Sequence, residues 1–243
     1  MGAAVAHHLG YEPEEIHSFQ IACLLHDMGR AGLDRKIFGA IWTWARTRDI
    51  PTRPAEWRAK HPDTAYGKET EAFWKKYRKD LQDSGIETND WALEQVEMRL
   101  GYARRMHRQL RRIRPELQRL GIHWSAWMEK VTLYYYYPEK LAREPEWVRE
   151  LGEILVACEQ LEAHSNRERG SDYYNRSEEN FADAFSYLEG LRRKRQLHRK
   201  VLSAVRDLTS RGTFDSILKA SRKRNLTDKE LRYLRSLDSG EKS

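Results

Sequence analysis

Apolar residues along this chain recur at helical rather than strand spacing. The pattern predicts helices near 12–28, 68–81, 91–114, 116–136, 146–164, 177–208, 214–222 and 227–237. No alternating strand pattern with hairpin turns, no internal repeat and no low-complexity segment is found, so the fold class expected is all-α. Pro13, Glu14 and Glu15 read as the first turn of the opening helix, and Gly29 as its stop. Ile16, Phe19, Cys23, His26 and Asp27 fall within one sector of that helix, while Ile21, Leu24 and Leu25 lie elsewhere around it. A helix apolar on most sides is expected to be buried. Thr227 reads as the cap of the last helix. Pro51, Pro54, His61-Pro62 and Gly67 mark the connection after the first helix as irregular, 170–177 reads as a loop, and Ser239–Ser243 as a frayed end.

Composition narrows the class. The 243 residues suffice for a large domain with an extension, and 11% aromatic content argues against global disorder. No apolar run reaches the roughly 18 residues that span a bilayer, and no signal peptide is visible at Met1, so a cytoplasmic protein with no membrane role is expected. Cys23 and Cys158 sit in apolar helical patterns and read as reduced core residues. The net charge of +7 is concentrated in two helical runs, Arg104 to Arg114 and Arg192 to Lys200. Each reads either as a solvated face or as an attractor of polyphosphate, nucleic acid or an acidic protein partner. No stacking motif, zinc-finger spacing or helix-turn-helix signature supports nucleic-acid readout.

The candidate chemistry begins at His26-Asp27, which closes the first helix. An ionised acid at the dry end of such a helix is costly unless a cation or strong donors compensate it, and adjacent imidazole and carboxylate can reach one metal ion. The same pair also reads as a buried hydrogen bond capping a core.

Leu24-Leu25-His26-Asp27-Met28-Gly29-Arg30, preceded by Leu9-Gly10-Tyr11 and Glu14-Glu15, resembles the opening of HD-domain phosphohydrolases of the HD-GYP branch. Further landmarks follow in family order: Glu56-Trp57, His61-Pro62 and Gly67, the helix from Ile154 to Ala163 around Glu159, Asn175-Arg176, and Phe214-Asp215. The resemblance implies an HD-type helical bundle over 1–190, and 191–243 reads as a basic helical extension packed on the same domain. It implies a phosphodiesterase acting on a nucleotide or cyclic dinucleotide such as cyclic di-GMP. One or two divalent ions (Mn²⁺, Fe²⁺ or Mg²⁺) would be held by His26, Asp27, His61 and Glu159. Asp27 and Arg30 would be catalytic, with Arg30 on substrate phosphate and Tyr135 and Tyr136 at the substrate.

Several positions depart from the family pattern. An upstream histidine would fall before Met1, so the sequence is expected either to be truncated there or to lack that ligand. Val131–Pro138 offers the phenols of Tyr134 to Tyr137 where the family has His-His-Glu, no Gly-Tyr-Pro follows, and Glu159 replaces an Asp. Neutral phenols are poor ligands because the proton leaves only near pH 10. The expected enzyme is therefore an impaired one. The alternative is a degenerate HD-fold module, without metal, that binds a nucleotide or a protein partner.

Overall fold

A computed structural model describes residues 1–165 and 180–238. Asn175-Arg176, the predicted loop at 170–177 and the predicted frayed end from Ser239 lie outside them. The described residues contain thirteen α-helices and no strand, so the chain is all-α. They divide into two compact units: 1–24 with 126–165 and 180–238, and 25–125. No helix is long and apolar enough to cross a membrane among the described residues.

The first unit contains α1 (Gly2–His8), α2 (Pro13–Leu25, which ends one residue past the unit), α8 (Ala126–Leu133), α9 (Glu146–Ser165), α10 (Phe181–Arg193), α11 (Arg199–Ser210), α12 (Asp215–Arg222) and α13 (Asp228–Arg235). The twenty-residue α9 is its centre. Leu151, Ile154, Cys158 and Leu161 on α9 join Val5, Phe19, Phe185, Leu188, Val201, Val205 and Leu218 in one core. The helices over 191–235 share the core of α9 within this unit. Burial all round, expected of α2, belongs to α9. Only Phe19 and Ala22 of α2 are buried, and Leu24 is 82% exposed.

Local sequence explains the helix ends. Thr227 caps α13 as expected, accepting from the Glu230 amide while Glu230 Oε2 accepts from the Thr227 amide at 2.8 Å. Asn180 and Asp183 form the same reciprocal box at α10. The single helix expected over 177–208 is interrupted between Arg193 and Arg199, where Arg195 takes a left-handed φ of 57°. The helix expected over 116–136 is likewise two elements, because the chain leaves α7 at Arg119 and turns at Gly121 with φ 69°.

The second unit contains α3 (Arg35–Arg46), α4 (Pro54–Lys60), α5 (Glu69–Asp83), α6 (Asp90–Leu100) and α7 (Tyr102–Arg119). Two of these replace the irregular connection expected from the prolines. Asp34 caps α3 by accepting from the Lys36 and Ile37 amides at 3.0 and 3.1 Å. Pro54 occupies the first turn of α4, where its missing N–H costs nothing. Phe38, Ile41, Trp42 and Ala45 of α3 meet Trp57, Phe73 and Leu81 in a second, aromatic-rich core. Trp42 and Phe73 lie 5.5 Å apart between ring centroids, and Trp57 and Phe73 5.8 Å. Gly101 divides the single helix expected over 91–114 into α6 and α7, and α7 then runs through Pro115 without stopping.

Candidate functional site

His26 and Asp27 follow the last residue of α2, and Asp27 opens a 3₁₀ turn over Met28–Arg30. The turn is pinned to α7 inside the second unit. Tyr102 Oη donates to the His26 carbonyl, and the Tyr102 ring lies so close to Gly29 that a Cβ there would fall 2.6 Å from it. Gly29 is therefore required for close packing, not as a left-handed helix stop. The Arg30 amide donates to the Asp27 carbonyl at 2.8 Å and closes the turn.

This geometry points three charge-bearing side chains to one place. His26 Nε2 stands 3.8 Å from Asp27 Oδ1, and Arg30 Nη1 stands 3.2 Å from the same oxygen. Asp27 keeps 36% of its side-chain surface exposed, whereas His26 and Arg30 keep 23% each. The acid expected at the dry end of the helix is thus half-open, and the cation beside it is the guanidinium of Arg30. That pairing, with water, lowers the cost of the charge.

His61 lies elsewhere in the same unit. It ends α4, and its ring packs on Trp57 with centroids 4.2 Å apart. Burial first, then the charges of Lys76 and Lys60, hold its imidazole below the usual histidine range. Its Nε2 is buried without a hydrogen-bond partner. Its ligand atoms do not join those of His26 and Asp27 within 4.8 Å of one another.

The remaining predicted residues belong to the first unit. Glu159 is half-buried on α9, next to the buried Cys158. Tyr135 and Tyr136 meet edge to face at 5.3 Å and 85°, and Tyr136 is only 6% exposed. Two rings so arranged do not form a parallel platform for a base. Tyr134, also buried, donates to the Gln196 carbonyl at 3.1 Å, and burial together with Glu153 raises its phenol above the usual range. Cys23 and Cys158 are not in a disulfide, and burial pushes both thiols up to about 12.

The basic runs are more structured than a solvated face. Arg105 of α7 is buried, with Nη1 3.0 Å from Glu94 and Nη2 2.5 Å from the Ala31 carbonyl. On α10, Glu189 faces Arg192, with Arg193 at 3.9 Å and Arg206 at 3.4 Å, and its carboxyl is held below its usual range, foremost by the hydrogen bond from Arg192. The sequence signal for Arg105 was its place one residue after Arg104, which puts the two guanidiniums about 100° apart around the helix.

Compared with protein-family models, curated proteins and solved structures, the chain matches none of them.

Proposed function

We propose that the chain is a metal-dependent phosphohydrolase of HD type, acting slowly on a phosphodiester of a nucleotide, with cyclic di-GMP as the substrate suggested by the sequence resemblance. The observation that carries this reading is the 3.8 Å separation of His26 Nε2 and Asp27 Oδ1 on a turn pinned by Tyr102. Two ligand atoms each about 2.1 Å from one divalent ion lie roughly 3 to 4 Å apart, so the pair fits a shared ion. The pair offers one imidazole nitrogen and one carboxylate oxygen, donors suited to Mn²⁺, Fe²⁺ or Mg²⁺. A divalent ion bound there supplies positive charge for the phosphoryl oxygens.

The chain's own groups do the rest. Arg30 brings a guanidinium to the same point and offsets charge developing on phosphate. Tyr102 and Gly29 hold the turn so that His26 and Asp27 keep their spacing. A reduced rate is expected because Tyr134 to Tyr137 stand where the resemblance calls for imidazole ligands, and neutral phenols bind metal poorly.

The second reading, a nucleotide-binding or partner-binding module without turnover, is favoured by the Arg30–Asp27 ion pair, which compensates the acid without metal. Hydrolysis of bis(p-nitrophenyl) phosphate by Mn²⁺-loaded protein separates the two. Turnover in the wild type that disappears in both His26→Ala and Asp27→Ala supports the enzyme. Absence of turnover in the wild type overturns it, and cyclic di-GMP binding that survives Asp27→Ala then identifies the module.

A further inference from the structure

The arginines of α7 build a second feature within the unit 25–125. An open groove of about 800 Å³ is lined by residues that include Thr70 of α5, Glu97 of α6, and Arg104, Arg105, Arg108 and Arg112 of α7. Its walls also carry Glu71, Asp90 and Glu94, so four acids face four arginines. Three of those acids are already engaged. Glu71 lies 2.7 Å from Arg104, Glu94 lies 3.0 Å from Arg105, and Glu97 meets Arg104 at 2.8 Å, Arg105 at 3.8 Å and also Arg108. A divalent cation would have to displace guanidiniums from each of them. Asp90 sits in the first turn of α6, where the positive helix end offsets its charge.

Positive donors are left over. Arg108 uses Nη2 toward Glu97, and the exposed Arg112 makes no ion pair among the described residues. The two are four residues apart, one helical turn, so both forks present to the same side of α7. Two buried atoms on the groove wall, Thr70 Oγ1 and Arg105 Nε, have no hydrogen-bond partner. Buried polar atoms are rarely left so, and each calls for a partner. Gly101 keeps the space beside Thr70 open: a Cβ there would come 2.6 Å from Glu97 Cγ, 2.8 Å from Thr70 Oγ1 and 3.3 Å from Arg104 Nη2. Its φ of −114° shows that side-chain room, not backbone conformation, is what the glycine supplies.

We propose that this groove binds the phosphate group of a small ligand, with Arg108 and Arg112 as the charged donors. Guanidinium forks match phosphate oxygens in pairs, which a compact dianion exploits fully. The acids along the walls disfavour an extended polyanion, since each successive phosphate of a nucleic acid would pass Glu71, Asp90 or Glu94. The site is independent of the His26–Asp27 chemistry and does not require turnover.

Calorimetric titration of the full chain with inorganic phosphate, and separately with a nucleoside 5′-monophosphate, at constant ionic strength tests this. Saturable binding is expected, weakened tenfold or more in Arg108→Ala and in Arg112→Ala. It should stay within twofold in Arg114→Ala, an exposed arginine of the same helix that does not line the groove. Tighter binding of the monophosphate identifies an ester ligand, and equal binding identifies free phosphate. No saturable binding of either probe, or affinities unchanged in the Arg108 and Arg112 variants, overturns the proposal. Binding confined to a single-stranded oligonucleotide overturns it in favour of a nucleic-acid groove.

Discussion

Arg30 Nη1 lies 3.2 Å from Asp27 Oδ1, three residues away across a single 3₁₀ turn. The residue assigned by resemblance to substrate phosphate is therefore also the counter-ion of the residue assigned to metal. One guanidinium serves the carboxylate at rest and competes with any cation that approaches it. The acid's stability and its affinity for metal are linked through this contact.

Arg30→Ala separates the two roles. A half-exposed ion pair contributes about 1 kcal/mol or less, so the fold should survive its loss. Mn²⁺ should bind the variant a few-fold more tightly, because Asp27 loses its resident cation. Hydrolysis of bis(p-nitrophenyl) phosphate should fall by about tenfold or more, since a charge-assisted contact to phosphate is removed. Calorimetry and a steady-state assay read these opposite changes.

Gly29→Ala tests the clamp on the turn. A methyl group would enter the Tyr102 ring at 2.6 Å. Overpacking of this kind costs about 1–3 kcal/mol, and the urea midpoint should fall accordingly. Tyr102→Phe should cost less, about 1 kcal/mol, because it deletes only the hydrogen bond to the His26 carbonyl.

Acid stability should carry the signature of Glu230. Foremost the hydrogen bond from Arg224, with others from Thr227, lowers its carboxyl from 4.5 to about 2 in the folded protein. A depressed folded value means the stabilisation is fully present above pH about 4.5 and is lost as pH falls toward about 2. Glu230→Gln should therefore flatten the fall in denaturant stability across that window and reduce stability at neutral pH.

The thiols should be inert. With Cys23 and Cys158 both pushed up to about 12 by burial, almost no thiolate forms at pH 8. Reaction with 5,5′-dithiobis(2-nitrobenzoic acid) should be slow in the native protein and complete for two thiols in guanidinium chloride.

What could be read in the chain depended on how local each signal was. The Thr227–Glu230 box, the 146–164 helix and the all-α class rest on neighbouring residues, and they stand as read. Phe38, Ile41, Trp42 and Ala45 of α3 keep helical spacing, but Pro51, Pro54 and Pro62 nearby carry the opposite local signal of an irregular connection. Pro54 starts a helix instead of breaking one. α2 is less buried than its apolar faces suggest because periodicity reports which faces are apolar, not which of them find a neighbour: Leu24 remains exposed and α9 takes the centre. At the candidate site the His26–Asp27 spacing was legible, since adjacent residues fix it. The position of His61 on Trp57 was not, because it depends on how the aromatic core of α3, α4 and α5 closes.

The claim that Asp27 serves as a cation ligand stands or falls on one titration. Mn²⁺ added to the metal-free protein in a calorimeter should give saturable binding in the wild type, weakened in His26→Ala and abolished in Asp27→Ala. A wild type that takes up no Mn²⁺, or an Asp27→Ala protein that takes it up equally well, contradicts the account.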